Sequence, residues 1–220
     1  MKLVLASGSQ RRRELLTMCG YDYEIIVSNA DETIDENDPE SFVRALSFRK
    51  AKDVFDRLFA AGRRDFAVIG SDTVVAFQKE GETKPVIIGK PKDAKDAVRI
   101  LSMLSGKTHR VFTGVSLIAD IPDENAAAQC SIREKAEIQT ECSITEVTFE
   151  TLSPDEITDY VNSGDPLDKA GSYGIQGPFG MFVREIRGNY FTVIGMPIPV
   201  LYKMLKKIGI LPHGFYERIE

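Results

Sequence analysis

The 220-residue sequence contains no tryptophan, two histidines and three cysteines. The cysteines form no CxxC pair and have no spacing typical of a zinc site, so we expect Cys19, Cys130 and Cys142 to be reduced thiols rather than metal ligands. No apolar run approaches the length of a membrane span, and Arg11 interrupts the first segment before any signal-peptide-like region. These absences favour a cytoplasmic protein without a membrane partner.

The sequence also lacks an excess of basic residues. Its 28 Lys and Arg residues face 33 Asp and Glu residues, which gives a formal charge of −5. Proteins that coat nucleic acid obtain their affinity from a broad basic surface, so we expect no nucleic-acid partner. Any anion that binds must be met by a local cluster of cations.

Two common nucleotide-binding motifs are missing as well. The sequence has no G-x-x-x-x-G-K-[ST] motif, and Gly174, Gly177 and Gly180 do not open a helix after a strand. P-loop proteins and dinucleotide-binding proteins need those contexts. The sequence therefore argues against both classes.

The order of the predicted elements indicates an α/β fold with a mixed central sheet. Strands alternate with helices in the first half, and antiparallel hairpins follow, including a closing hairpin through Arg187-Gly188-Asn189. We predict strands over 3–5, 21–27, 66–77, 86–88, 111–119, 137–149, 182–183 and 190–194, and helices over 11–19, 39–61, 93–105, 154–163 and 198–207. Asp38-Pro39 is predicted to start the second helix, and a capping box from Ser153 to Glu156 is predicted to start the fourth.

The first strand leads through Ser7-Gly8-Ser9 into an arginine-rich helix that contains Arg11 and Arg12. Backbone N–H groups at the first turn of a helix have no internal acceptor, and the helix dipole adds positive charge there. Guanidinium groups add full charge and bidentate geometry. This turn is therefore predicted to bind phosphate or carboxylate.

Three charged residues stand in unusual places. Lys50 falls within the apolar stripe of the 39–61 helix, where it must either extend to solvent or meet an anion in a cleft. Asp72 interrupts a buried strand, either as a structural cap or bulge or as an active-site carboxylate. Lys90 is fixed between a glycine and a proline at the end of a strand.

Two further segments are distinctive. The loop over 28–38 is strongly acidic, and its composition does not distinguish Glu32 from neighbouring Asp31. The segment over 165–180 has four glycines and two prolines, which specify a loop path rather than a periodic element. It contains Gln176.

Each of these residues has an ordinary structural interpretation when taken alone. Together they describe a polyanion site with four cations for a triphosphate, two carboxylates for a divalent metal, and an amide that reads a base or orients a phosphate. Magnesium suits such a site because it binds through one or two carboxylates plus phosphate oxygens. The candidate residues are Ser7, Arg11, Arg12, Glu32, Lys50, Asp72, Lys90 and Gln176.

Five separated blocks resemble, in order, those of the Maf-like nucleotide pyrophosphatases, also called septum formation proteins. They are Ser7-Gly8-Ser9-Gln10-Arg11-Arg12, Arg49-Lys50-Ala51, Gly70-Ser71-Asp72-Thr73, Gly89-Lys90-Pro91, and the run from Asp168 to Gly177. Gln10 and Ser71 replace the family's common proline and alanine, and neither change removes a charge. The resemblance covers about 3–207.

The resemblance implies hydrolysis of a nucleoside triphosphate between the α and β phosphates, in a cleft between two lobes of an inosine-triphosphatase-like fold. It implies that four cations clamp the triphosphate with help from a serine, and that two carboxylates hold Mg²⁺ or Mn²⁺, one of them also acting on the attacking water. By this alignment the catalytic residues are Asp72, Glu32, Lys50 and Lys90, the substrate-binding residues are Ser7, Arg11, Arg12 and Gln176, and the metal ligands are Glu32 and Asp72.

Within the family, Arg11-Arg12 and Tyr173-Gly174-Ile175-Gln176 resemble the subgroup that acts on dTTP and UTP. The subgroup that prefers 7-methyl-GTP has a tryptophan near the first block, which this chain lacks. The alternatives are a pyrophosphatase of the inosine-triphosphate or 7-methyl-GTP type, and a non-catalytic nucleotide-binding regulator of cell division. The resemblance also implies a homodimer. We predict a single domain over 1–211, and an exposed excursion at about 120–133 and a tail over 212–220 as additions of this member.

Overall fold

The computed structural model describes residues 1–79, 81–121 and 136–214. Within these ranges a seven-stranded mixed sheet has the order β2-β1-β3-β5-β6-β7, with β4 beside β3. The strands are β1 (Lys2–Leu5), β2 (Glu24–Ile25), β3 (Phe66–Phe77), β4 (Val86–Ile88), β5 (Thr108–Asp120), β6 (Ala136–Phe149) and β7 (Val183–Arg187). The helices are α1 (Gln10–Met18), α2 (Pro39–Ala60), α3 (Ala94–Leu104), α4 (Pro154–Asn162), α5 (Tyr190–Ile194) and α6 (Ile198–Lys207).

Helix α2 covers one face of the sheet. Asp38 caps it by accepting a hydrogen bond from Ser41 N at 2.9 Å, and Pro39 occupies its first turn, as the sequence predicted. The helix lies directly on two strand glycines. A Cβ at Gly70 would come 2.1 Å from Ser47 O, and one at Gly114 would overlap the backbone of α2 in the same way. Side chains larger than hydrogen at these two positions would push α2 off the sheet.

The opposite face carries two apolar clusters, one at each end of the long strands β3 and β5. Helices α1 and α6 cover the first cluster, and α3 and α4 cover the second. Polar side chains lie between them on that face, namely Ser71, Thr73 and Thr113. Each cluster thus has its own pair of covering helices.

The edge of β3 that faces β1 is only partly paired. Strand β1 runs parallel to β3 and ends at the pair Leu5 with Ile69, and antiparallel β4 ends at the pair Ile88 with Val75. Among the described residues, 70–74 have no strand partner on this edge, although β5 pairs with them on the other side without a register shift. Asp72 lies at the middle of this gap.

The closing hairpin was predicted wrongly. Residues 190–194 form helix α5 instead of a strand, although their aromatic and β-branched composition favours a strand locally. Asn189 caps the helix by accepting from Phe191 N at 2.8 Å, and the carbonyl of Thr192 accepts from Thr113 Oγ1 at 2.7 Å. These side-chain partners supply the hydrogen bonds that a neighbouring strand would have supplied.

Smaller differences concern element ends. The predicted strand over 21–27 is reduced to β2, which pairs with β1, and β5 is longer than predicted at both ends. Asp120 belongs to β5 rather than to the predicted excursion, and its carboxylate accepts from Asp65 N at 2.9 Å. The rest of the excursion falls mostly outside the described residues, as does the tail after Gly214, whereas His213 N donates to Gly20 O at 2.8 Å.

Candidate active site

All eight residues predicted for the polyanion site line one cleft of about 740 Å³. The cleft opens at the gap on the edge of β3, between the loop after β1 and the loop after β4. Its volume lies within the usual range for small-molecule sites, roughly 300–1,000 Å³. The members are Ser7, Arg11, Arg12, Glu32, Lys50, Asp72, Lys90 and Gln176.

The loop after β1 and the start of α1 form one end of the cleft. Ser9 N donates to Ser7 Oγ at 3.2 Å, which fixes the serine hydroxyl beside the turn. The Ser9 side chain makes no capping hydrogen bond to any residue that the structure describes, so it leaves the first-turn N–H groups of α1 available. Since the helix dipole also places positive charge here, this end is suited to an anion.

Arg12 is held on three sides. Its Nε donates to Gly195 O at 2.8 Å, Nη1 to Ser7 Oγ at 3.1 Å, and Nη2 to Thr73 Oγ1 at 3.3 Å. Burial lowers the pKa of Arg12, and the negative charge of Asp72 opposes that effect. The guanidinium therefore has a fixed orientation, and it joins α1, β3 and the turn after α5.

Lys50 joins the two predicted carboxylates. Its Nζ lies 2.8 Å from Asp72 Oδ1 and 2.9 Å from Glu32 Oε1. Only 12% of the Lys50 side chain and 13% of the Asp72 side chain are exposed, so the pair lies inside the cleft wall. Lys50 thus meets anions rather than solvent, and Asp72, in an unbroken ladder, is neither a cap nor a bulge.

The donor set at Lys50 fits a divalent cation that is partly ligated by substrate. Glu32 and Asp72 each place one oxygen within 2.9 Å of the same Nζ, so both carboxylates face one point of the cleft. Within the described residues no three His, Cys, Asp or Glu side chains converge as a metal-binding group. Two carboxylates with phosphate oxygens and waters match what Mg²⁺ prefers.

Arg49 fixes the backbone around Glu32. Its Nη1 donates to Asp31 O and to Thr33 O, both at 2.8 Å, so it holds the carbonyls on either side of Glu32. The Glu32 side chain is 66% exposed and lies on a loop without regular structure. The sequence carries no signal of this role, because the acceptors of Arg49 are backbone carbonyls, which every residue has.

The remaining predicted residues lie around the opening. Arg11 Nη1 pairs with Asp168 Oδ2 at 3.4 Å, and Lys90 and Gln176 are exposed at the rim. Partial burial opposes ionisation of Asp168, but hydrogen bonds from Lys169 and Arg11 lower its pKa overall. Lys169 also lines the cleft and was not among the candidates.

The fold and this cleft define the class: an α/β protein in which cations, two carboxylates and a helix N-terminus converge on one ligand space. In its fold the chain is similar to the Ham1 protein of Staphylococcus aureus. That comparison has a TM-score of 0.51 at 13% identity and covers 94% of this chain and 100% of that one. It confirms the predicted architecture.

The chain belongs to the Maf-like protein family, whose profile matches residues 2–208. It is 40% identical over 217 residues to a dTTP/UTP pyrophosphatase of Agathobacter rectalis, covering 95% of this chain and 98% of that protein. It is 42% identical over 210 residues to a dTTP/UTP pyrophosphatase of Bacillus thuringiensis subsp. konkukian, covering 95% and 96%. No helix within the described ranges is long and apolar enough to cross a membrane.

Proposed function

We propose that this protein hydrolyses pyrimidine nucleoside triphosphates, dTTP and UTP above all, to the monophosphate and pyrophosphate. The names of its relatives support the reaction. The observation that carries the proposal is the placement of Asp72 and Glu32 on one lysine, inside a cleft that also contains Arg11 and Arg12. Removal of damaged or surplus nucleotides from the pool is the role that such a reaction serves.

The cations hold the triphosphate. Arg11 and Lys90 reach it from the rim, while Ser7 and the first turn of α1 receive phosphate oxygens at the inner end. Arg12 presents its remaining N–H bonds from a fixed orientation, which favours one phosphate position over others.

Asp72 acts on the attacking water. The water oxygen forms a bond to the α-phosphorus, the bond from that phosphorus to the bridging oxygen breaks, and pyrophosphate leaves. Asp72 orients the water and accepts its proton. Lys50, whose Nζ lies 2.8 Å from Asp72 Oδ1, holds phosphate oxygens beside that carboxylate.

Glu32 and Asp72 are also the residues that would hold Mg²⁺ or Mn²⁺. When bound, such an ion neutralises charge on phosphate oxygens and so favours the transition state. The Gln176 amide can donate to and accept from the imide edge of uracil or thymine, which would account for a pyrimidine preference. We further propose that residues 1–211 form the catalytic domain of a cytoplasmic homodimer.

The first experiment measures pyrophosphate release with Mg²⁺ or Mn²⁺ from dTTP, UTP, CTP, ITP, 7-methyl-GTP and modified pyrimidine triphosphates. Fastest turnover of dTTP or UTP, with monophosphate as the other product, is expected. Fastest turnover of ITP or 7-methyl-GTP would refute the assigned base contact. Absence of turnover on every nucleotide would favour the regulator instead.

A single variant tests the mechanism. Asp72→Asn keeps the size of the side chain but removes the base, so turnover should fall by about 10³-fold or more while calorimetric binding of dTTP is largely retained. Unchanged hydrolysis in Asp72→Asn would refute the role of this carboxylate. A non-catalytic nucleotide sensor would not need both carboxylates.

A further inference from the structure

The turn that carries Gln176 is closed by a backbone hydrogen bond. Gly177 N donates to Gly174 O at 3.2 Å, so Ile175 and Gln176 occupy the two central positions of a tight turn. Gln176 is exposed and lines the cleft. The direction of its amide therefore depends on what holds the ends of the turn.

A tyrosine behind the cleft holds the first end. Tyr160 OH accepts a hydrogen bond from Gly174 N at 3.0 Å and donates one to Asp165 Oδ2 at 2.5 Å. Tyr160 lies in α4, is 6% exposed and packs on Phe179 with ring centroids 4.8 Å apart. Because its proton is directed at a carboxylate, the oxygen lone pairs are left for the backbone N–H.

The Asp165 carboxylate also connects the turn to the phosphate end of the cleft. Lys169 Nζ donates to Asp165 Oδ1 at 2.9 Å and to Asp168 Oδ1 at 2.8 Å. The other oxygen of Asp168 pairs with Arg11. One chain of polar contacts therefore runs from Gly174 to an arginine at the phosphate end.

The residues around the turn pack closely at Gly174 and Gly180. A Cβ at Gly174 would lie 2.6 Å from Lys169 Cε and 3.2 Å from Asp165 Oδ2. A Cβ at Gly180 would lie 2.9 Å from Ile175 O, on the far side of the turn. The turn is thus seated directly on the Asp165–Lys169 pair.

We propose that Tyr160 is a positioning residue for base selection. Through the N–H of Gly174 it holds the turn so that the Gln176 amide meets the base edge, and through Asp165 it fixes that turn relative to Arg11. The inference rests on the proposed function, because it takes Gln176 to contact the base. Tyr160 is not among the residues that line the cleft, so it acts on discrimination between bases rather than on bond cleavage.

The variant Tyr160→Phe removes the hydroxyl and keeps the ring. We expect the ratio of kcat/KM for UTP to that for CTP to fall about tenfold, through KM for UTP, while kcat for UTP changes less than about threefold. Tyr23→Phe is the matched control, since its hydroxyl also makes two hydrogen bonds, to Arg13 O at 2.8 Å and to Thr17 Oγ1 at 3.0 Å. Its UTP to CTP ratio should equal that of the wild type.

A double-mutant cycle separates this inference from the proposed function. In a Gln176→Ala background, Tyr160→Phe should have no further effect on the ratio. If Gln176→Ala alone leaves the ratio unchanged, the proposed base contact is wrong and the inference falls with it, although pyrophosphatase activity stands.

The positioning role of Tyr160 is refuted if Gln176→Ala lowers the UTP to CTP ratio and Tyr160→Phe does not. It is also refuted if Tyr160→Phe lowers that ratio equally in the wild-type and Gln176→Ala backgrounds. Should Tyr160→Phe fail to fold, Asp165→Asn weakens the same anchor. Its ratio is expected to fall in the same direction, and an unchanged ratio would also overturn the inference.

Discussion

The replacement of Gly70 by alanine tests whether backbone packing sets the geometry of the cleft. The new Cβ would lie 2.1 Å from Ser47 O, 2.7 Å from Ala51 N and 2.9 Å from Ala51 Cβ. An ordinary carbon–oxygen contact is about 3.3 Å or more, so α2 must retreat by roughly 1 Å. The same helix also packs directly on Gly114, where an ideal Cβ would lie 2.2 Å from Val43 O, so α2 contacts the sheet backbone closely at two points.

The expected cost follows from these contacts. Overpacking costs about 1–3 kcal/mol, and the upper end applies because helix backbone opposes the methyl group. The smaller conformational freedom of alanine in the unfolded chain offsets about 0.5 kcal/mol. The free energy of unfolding should therefore fall by about 2.5 kcal/mol. Since Lys50 precedes Ala51 and moves with the helix, kcat should fall by about 100-fold.

Urea unfolding followed by circular dichroism measures the first quantity, and pyrophosphate release at a temperature where the variant is folded measures the second. Gly89→Ala is the stability control, because no described atom lies within 4 Å of an added Cβ there. It should change the free energy of unfolding by less than about 0.5 kcal/mol. Wild-type stability together with wild-type kcat in Gly70→Ala would refute the reasoning.

Two further predictions concern Arg49 and His109. Arg49→Met releases the carbonyls that flank Glu32, so the Kd for Mn²⁺ should rise about fivefold to tenfold when measured by electron paramagnetic resonance. Lys52→Met, on the exposed side of α2, should leave that Kd unchanged. Equal Kd values in both variants would count against an orienting role for Arg49. Burial lowers the pKa of His109 from 6.5 to about 3, so its contribution to stability is complete above pH 6.5 and is lost as the pH falls toward 3. Between pH 7 and pH 4.5 the free energy of unfolding, measured with urea, should therefore fall by about 2.5 kcal/mol more in the wild type than in His109→Gln. Equal decreases in the two proteins would show that His109 is not held neutral.

Local signals in the sequence predicted most of the fold. The Asp38-Pro39 start of α2 and the capping box from Ser153 to Glu156 lie where they were predicted, because both depend only on residues within one turn. The helix over 190–194 could not be found in this way. Its local preference is for a strand. Asn189 caps it locally, but the hydroxyl that satisfies the Thr192 carbonyl belongs to Thr113 of distant β5.

The candidate site likewise has one part that the sequence predicted and one part that it did not. Complementary chemistry grouped seven of the predicted residues, and the family resemblance distinguished the eighth, Glu32, from Asp31. All eight line one cleft. The sequence did not reveal that Arg12 is anchored on Gly195 O or that Tyr160 holds Gly174 N, since these contacts join a side chain to the backbone. Which loop supplies such a partner is decided only by the tertiary fold.

The five residues of β3 without a strand partner on one edge form the opening of the cleft, so the lengths of β1 and β4 determine how wide it is. From Ile69 to Val75 the open edge spans roughly 20 Å at about 3.3 Å per residue, bounded by the ends of the two short strands β1 and β4. A side-chain substitution changes the lining of this opening but not its extent. An insertion or deletion that lengthens β1 or β4 by one residue shortens it by about 3.3 Å. The positions at which β1 and β4 end therefore determine the size of ligand that the cleft admits.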